Sequence, residues 1–463
     1  MYFIIAGLIL IGAVVGINLI SSDFDKQINI IDQPVIEFVS LYIVTGLVYF
    51  IYIYRIKNFR PKIKNVIIWI FIIGIIARLV MILSVPILEV DFYRYMWDGA
   101  VTVSGSNPYK YSPKNLLNDN NNASKELKEL ALKNENILKR INHPELKTSY
   151  PLVTQAVFAI TNLIKPFSLS AWKFVLLFID IIIFILIYIL LKKLKLPESN
   201  LIIYWWNPIL IKEVFNSGHM DVLVFPFLLG SMLLYLSNRY LFSFTTLTAA
   251  VGIKLWPVLL FPVFIRKFIS DWKKLLQYFL IFSVLSILIL LPLFISYFDT
   301  GSGIEAYSRS WQNNESFFRI VLAISEFILP LIGYHPGHGQ SVSRIIVGIL
   351  AIILVLYLIR NKIKNELDYF RIGLAIIAIT FFISPTQFPW YYIWMLPFLT
   401  FIPYKPLLLL TVLMPLYYLR YYYEPRGEYD FYYQYIVWLE YLPALVWLGY
   451  DLISKKFMNR STA

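Results

Sequence analysis

Long apolar runs alternate with short polar connectors along this chain. Runs at 2–20, 36–54 and 65–88 come first, and 170–191, 276–296, 343–359, 368–384 and 433–452 follow. Each approaches the roughly 20 mostly apolar residues that a helix needs to cross a bilayer. Between them stand shorter apolar segments at about 199–214, 220–237, 240–254, 255–265, 390–403 and 405–420, which pair as in-and-out helices. Several are too short for a straight crossing, and broken helices at membrane depth usually line a cavity buried in protein. Segments 150–166 and 316–332 read as interfacial or re-entrant. The pattern predicts an all-α polytopic membrane protein, a bundle of about 12–14 transmembrane helices, several of them short or broken. No Lys or Arg precedes the first run and no small-residue cleavage site is convincing after it, so it reads as an anchored helix and not a leader.

Polar residues set the expected sidedness. The connector after the second run carries Arg55, Lys57, Arg60, Lys62 and Lys64, the mark of a cytoplasmic loop. The 65–88 run then delivers Glu89 and Asp91 to the outside. Cations also cluster at Lys192, Lys193 and Lys195, at Arg266, Lys267, Lys273 and Lys274, at Arg360, Lys362 and Lys364, and at Lys455, Lys456 and Arg460. All fall on the cytoplasmic side in this topology, which also puts both termini there. The one long polar stretch, 89–150, is then external. Its middle, 118–140, is an Asn-rich turn followed by an amphipathic helix with Leu127, Leu130 and Leu138 at helical spacing, expected to lie on the membrane surface. No repeat at the 20–50-residue scale is visible.

Composition narrows the classes. Of 463 residues, 59% are apolar and 15% charged, outside the range of most soluble folds. Cys is absent, which excludes thiolate nucleophiles, disulfides and Cys-ligated metals. The 41 basic against 28 acidic residues give +13, but their placement in cytoplasmic clusters explains that excess as orientation, not nucleic-acid binding.

Candidate chemistry gathers at the other face. In Glu89-Val90-Asp91-Phe92-Tyr93-Arg94-Tyr95-Met96-Trp97-Asp98-Gly99, a helix would put Asp91, Arg94, Tyr95 and Asp98 on one side. Phe92, Met96 and Gly99 would face a packing partner. The alternative is a surface ion pair worth about 0–1 kcal/mol, but charges emerging directly from an apolar span are costly and usually functional. Further polar clusters occur at Lys212-Glu213, at His219 and Asp221, at Lys254, at Tyr307 to Glu315 with Arg309 in its midst, and at Ser384 to Tyr391 with Gln387 and Trp390. The alternative for each Trp and Tyr is the interfacial aromatic belt, and for Lys254 and Arg309 snorkelling to head groups. His219 and Asp221 alone make a weak metal signature. No GxxxxGK[ST], GxSxG or HExxH motif is present.

Six segments carry a family resemblance: DFYRYMWDGAVTVSGSNPYKYSP (91–113), NHPELKTSYPLVTQAVF (142–158), WNPILIKEVFNSGHMD (206–221), GIKLWPVLLFP (252–262), YSRSWQNNESFF (307–318) and SPTQFPWYYIWMLPF (384–398). In this order they resemble the blocks of bacterial GT-C glycosyltransferases, above all the mannosyltransferase-like branch related to the polyprenol-phosphate-mannose-dependent enzymes. The resemblance covers about 91–398, two-thirds of the chain. One departure is Tyr150-Pro151-Leu152, where the pattern has a second Pro. The implied organisation is two N-terminal helices outside the resemblance (1–64), a GT-C-like core (65–400) with a helical external first catalytic loop (89–150), and C-terminal helices with a cytoplasmic tail (401–463).

The resemblance implies an enzyme of the bacterial cytoplasmic (inner) membrane whose site faces the periplasm or exterior. It would move a monosaccharide, mannose first among the candidates, from a polyprenyl-phosphate-linked donor to an acceptor hydroxyl with inversion. The acceptor could be a glycan, a lipid or a protein. Asp91 matches the family's first-loop Asp and is the expected base, with Asp98 second. Lys254, Arg309, His219 and Arg94 are expected at the donor phosphate, and Tyr95, Tyr150, Asp221, Gln387 and Trp390 at the sugar or acceptor. No cofactor is required; a divalent metal on Asp91 and Asp98 is compatible. The competing class is a multi-span transporter or lipid flippase, which also shows broken helices and intramembrane charge. A transporter, however, usually places its charged site near the bilayer midplane and shows internal repeats.

Overall fold

The computed structural model describes residues 2–25, 28–56, 66–118, 122–333 and 335–454. The connector with Lys57, Arg60, Lys62 and Lys64, the side chain of Arg55, residues 119–121 and the tail with Lys455, Lys456 and Arg460 lie outside the described residues. Among the described residues the fold is all-helical, without a strand; one isolated bridge joins Asn313 to Thr386.

The main helices are α1 (Tyr2–Ser21), α2 (Val35–Ile56), α3 (Val66–Ile82), α4 (Phe92–Val103), α5 (Leu152–Ile164), α6 (Leu169–Lys193), α7 (Val224–Leu236), α8 (Tyr240–Val251), α9 (Trp272–Tyr297), α10 (Phe317–Leu331), α11 (Gly339–Ile359), α12 (Leu367–Ile383) and α13 (Val437–Ile453). Six stretches among the described residues are long and apolar enough to cross a membrane: α1, α2, α6, α9, α11 and Tyr429–Ile453, which contains α13. Counting the bent pair Pro208–Asn216 and Met220–Leu236, whose halves meet at 102°, gives seven. The expected count of about 12–14 also drew on shorter helices. One of these, α8, has 12 residues and at 1.5 Å per residue reaches about 18 Å, less than the hydrocarbon thickness of about 30 Å. The outer faces fit a bilayer. On α9, Val284, Ile287, Leu288, Leu291 and Ile295 are exposed, and on α11 Ile345, Ile349, Ile352, Ile353 and Leu356. So much contiguous apolar surface on a monomer needs a cover, and lipid supplies it. The chain is a multi-pass helical membrane protein.

The protein centre is built from the broken segments. Residues 201–225 and 389–401 are buried throughout. The first helix of this region ends at Trp206, and Asn207 caps the next by accepting from the Ile209 and Leu210 amides at 3.0 and 3.2 Å. A π-helical turn over Ile211–Asn216 follows, and Gly218 adopts φ +77°, a left-handed conformation that suits glycine. These interruptions aim side chains inward where a straight helix would carry them past.

A buried ionic staple joins α3 to α6. Arg78 Nε donates to Asp180 Oδ2 at 2.6 Å, and Arg78 Nη1 to the carbonyls of Trp205 and Gly74 at 2.8 and 3.0 Å. Tyr204 OH donates to the other Asp180 oxygen at 2.6 Å. Helix α2 docks on the same centre, with Tyr49 OH donating to the Ile203 carbonyl at 2.6 Å and Tyr42 OH to Glu213 Oε1 at 3.4 Å.

The polar stretch between α3 and α5 folds back on α4. Its helices Lys125–Lys133 and Glu135–Leu138 bury Leu127, Ala131 and Leu138 with Trp97, Val101, Leu116 and Ile141 in a separate small core. The amphipathic helix is present, but its apolar face is covered by α4 and the adjoining loops and not by lipid. Trp97 and Val101 offer an apolar surface within the same segment, which is closer at hand than a bilayer.

Candidate active site

Separate parts of the chain, five of them bearing expected site residues, converge on one cavity of about 680 Å³, the size of a small-molecule site. The N-terminal end of α4 contributes Asp91, Arg94 and Tyr95, and the chain leading into α5 contributes Tyr150. Gly99 fixes this pair of helices: a Cβ there would stand 2.4 Å from the Phe158 carbonyl oxygen, so only glycine lets α4 approach α5 this closely. Tyr95 stacks on Phe158 at 4.8 Å. The break beyond Gly218 brings Asp221, the turn after α8 brings Lys254, and the turn after α12 brings Trp390.

Asp91 caps α4 by position, yet its side chain makes no capping bond. It is free to face the cavity, where Asn142 Nδ2 donates to Oδ1 at 3.4 Å. Burial pushes its carboxyl above the usual carboxylate range, opposed by the Asn142 bond and by the charge of Lys254. Glu89, 6% exposed, is pushed up more strongly by the same cause. Behind Asp91 lies His219, fully buried, stacked on Trp390 at 3.9 Å with the planes 16° apart. Its Nδ1 is 3.9 Å from Asp91 Oδ2, and its Nε2 is 3.8 Å from Glu89 Oε2 and 3.7 Å from Glu213 Oε2. These separations exceed hydrogen-bond length, and neither ring nitrogen nor Glu89 Oε1 has a partner. Glu213 is better held, accepting from Tyr418 OH at 2.9 Å.

Across the cavity, Lys254 Nζ donates to Asp221 Oδ1, and Trp394 Nε1 donates to the same oxygen at 2.6 Å. The ammonium also lies 4.5 Å from the Tyr391 ring centre and 5.1 Å from that of Trp394, a cation–π arrangement. Asp221 therefore neutralises and orients Lys254. Trp394 stacks on Tyr391 at 4.4 Å and on Trp256 at 5.3 Å, so one wall is a continuous aromatic surface.

Thus Asp91, Arg94, Tyr95, Tyr150, Asp221, Lys254 and Trp390 line one cavity, with His219 packed behind it. Three other expected site residues lie elsewhere. Asp98 is 2% exposed and accepts from Thr148 Oγ1 at 2.5 Å and Gln155 Nε2 at 3.2 Å. It shares a helix face with Asp91, but the segment before α5 covers it. Burial raises its carboxyl pKa, and the nearby Arg94 opposes the rise. Gln387 is fully buried; its Oε1 accepts from Ser316 and its Nε2 donates to the carbonyls of Phe382 and Ser384. The Arg309 side chain is 70% exposed and pairs with Glu305 at 2.9 Å.

Sequence reading passed over Arg420, which lines the cavity and has a buried Nε without a partner. Its Nη1 donates to Asn313 Oδ1 at 2.6 Å and its Nη2 to Glu424 at 3.1 Å. The available signal was an arginine inside Tyr417-Tyr418-Leu419-Arg420-Tyr421-Tyr422-Tyr423, where a charge closes an apolar segment among aromatics. Glu89, Trp256 and Trp394 were likewise unassigned.

Among the described residues no group of three or more His, Asp or Glu side chains is arranged to hold a metal ion. What the cavity offers is two carboxylates with raised proton affinity in Glu89 and Asp91, four lining cations in Arg94, Lys147, Lys254 and Arg420, and an aromatic wall. That set suits removal of a proton from one group while an anion departs from another. Compared with models of protein families, with curated proteins and with solved structures, the chain finds no match.

Proposed function

We propose that the chain is a GT-C-like membrane glycosyltransferase that moves a monosaccharide, mannose in the first instance, from a polyprenyl-phosphate donor to an acceptor hydroxyl. The observation that carries this reading is the meeting of Asp91, Arg94, Tyr150, Asp221, Lys254 and Trp390, from five separated blocks, around one cavity. The acceptor oxygen forms its bond to the anomeric carbon while the bond from that carbon to the phosphate oxygen breaks, so the configuration inverts. Asp91 takes the hydroxyl proton, and polyprenyl phosphate leaves with the electron pair. Lys254 and Arg94 meet the developing phosphate charge, with Asp221 holding Lys254 in place. Arg420 joins them. His219 acts from behind Trp390, its ring turned to Asp91, and Asp98 and Gln387 hold the loops that shape the pocket. Tyr150 supplies a face against which a sugar ring rests, and Tyr95, stacked on Phe158, and Trp390, stacked between His219 and Phe388, meet it with their edges. The prenyl chain follows the apolar surface between helices, and the face bearing 89–150 is external, with both termini cytoplasmic in a bacterial inner membrane.

The test is transfer by purified protein from polyprenyl-phosphate mannose, with glucose and arabinose donors alongside, to a library of glycan, lipid and protein acceptors. An inverted product from one of these donors is expected. Absence of transfer from all of them, with substrate movement across vesicles instead, would replace this reading with a transporter.

A further inference from the structure

A second cavity, about 460 Å³, adjoins the first. Gln312 lines both. The second is walled by Glu315, Arg319 and Glu326 on one side and by Tyr429 and Tyr433 on the other. Arg319 and Glu326 stand seven residues apart on α10, two helical turns, and so share a face. Another side of α10 exposes Ile320, Ile324, Phe327 and Leu331, so the helix is apolar outward, while its cavity face carries Arg319 and Glu326 with Leu322 and Ala323 between them.

Glu315 is the informative residue. It is 1% exposed; its Oε1 accepts from Gln312 Nε2 at 2.7 Å and lies 3.6 Å from Arg319 Nη1. Its Oε2 is buried without a partner. A buried carboxylate oxygen left unmatched is costly unless something else satisfies it. Across from it, the Tyr429 and Tyr433 rings lie 4.4 Å apart, 38° from parallel, and the Arg319 guanidinium sits 4.9 Å from the Tyr433 ring centre.

The charges decide the ligand. Two carboxylates against one guanidinium repel a phosphate, and a hydrocarbon tail would leave all three groups desolvated. A neutral saccharide ring meets each demand: its hydroxyls donate to Glu315 Oε2 and Glu326, accept from Arg319, and its C–H face rests on a tyrosine. We propose that this cavity is a saccharide subsite, holding a neutral sugar unit of a glycan acceptor that extends away from the unit being modified. That the saccharide is the acceptor rests on the transferase reading; that the cavity takes one does not.

The experiment is calorimetric titration of the full chain in lipid nanodiscs with mannotetraose, maltotetraose and cellotetraose, without donor. At least one should bind with a Kd near or below about 1 mM, and E315Q should weaken it by about tenfold or more. Y429A, at a ring that is 52% exposed, keeps the test alive if E315Q fails to fold, with several-fold weakening expected. No tetrasaccharide binding to the wild type, or binding that ignores both variants, overturns the subsite. With donor added, a tetrasaccharide acceptor should have a lower KM than the matching monosaccharide glycoside, an advantage that E315Q removes. Variant-sensitive binding with no transfer to any acceptor would keep the subsite and sink the transferase; transfer with equal KM values and no binding would do the reverse.

Discussion

Two clusters of buried charge in this molecule have opposite character. In the Arg78–Asp180–Tyr204 staple both carboxylate oxygens accept at 2.6 Å. Only Nη2 of the guanidinium lacks a partner, and the group lies 3.5 Å from the Trp205 ring centre. In the Asp91–Glu89–His219 cluster the contacts are 3.8 and 3.9 Å, and both ring nitrogens and one carboxylate oxygen are unpartnered. The first cluster is closed on all sides; Asp91 and Glu89 open on a cavity. A buried ion pair with its bonds made holds helices in register. Acids with few partners beside a cavity, Glu89 with a buried oxygen left over and Asp91 partly exposed and held by Asn142, carry displaced proton affinities, which is what a proton-transfer site needs.

The largest difference should come from Asp91→Asn. Transfer should fall by about 10²–10⁴, the range for removing a general base, read as turnover at saturating donor. The fold should not suffer. Burial raises the native pKa of Asp91, so the native state holds its proton more tightly than the unfolded chain does. That contribution to stability is complete below the unfolded value and disappears as pH rises through the native one. Above its native pKa the wild type bears a partly buried charge that the amide does not, and there D91N should unfold at an equal or higher temperature. For the same reason, wild-type turnover should fall as pH drops, with its midpoint above the ordinary carboxylate value of about 3.9. Turnover flat across that midpoint would remove Asp91 as the base.

Breaking the staple should give the reverse pattern. R78M leaves Asp180 buried and uncompensated, at a cost of about 3–5 kcal/mol, seen as a lower unfolding temperature and reduced yield of folded protein. Turnover per folded molecule should hold. The triple variant R78M/D180L/Y204F removes the three polar side chains together, leaving only the Trp205 and Gly74 carbonyls, and should recover most of the loss. If it does not, the staple contributes more than neutralised charge.

Much of this contrast was hidden from the sequence, for identifiable reasons. The long apolar runs were readable, because unbroken hydrophobicity over about 20 residues matches the thickness of a bilayer and exceeds what a soluble core helix needs; 170–191 became Leu169–Lys193 and 36–54 became Val35–Ile56. The short segments were readable as broken helices, and Pro208 and Gly218 mark the bends. Helical spacing grouped Asp91 with Arg94, Tyr95 and Asp98, yet only tertiary folding decides that Thr148 and Gln155 close over Asp98. Arg420 escaped because it ends an apolar segment over 300 residues after Asp91 in the sequence, with no local pattern linking the two. Arg78 and Asp180 were absorbed into apolar runs, the first with that one charge and the second with Lys173 beside it. Periodicity states which side chains share a face, not what the rest of the chain lays over that face.

Arg309 gives the finest test, because its chemistry matches the lining cations while its setting does not. Its side chain is 70% exposed and paired with Glu305 one helical turn earlier, the kind of contact that contributes about 0–1 kcal/mol. R309A should shift the unfolding temperature little and change donor KM by less than about twofold. Arg94, Lys254 and Arg420 differ from it in being enclosed by the cavity, where solvent screens a phosphate's charge less than it does at the surface. A tenfold rise in donor KM for R309A would mean that the donor phosphate is held at the surface turn of Arg309, and the assignment of donor binding to the enclosed cations would fail with it.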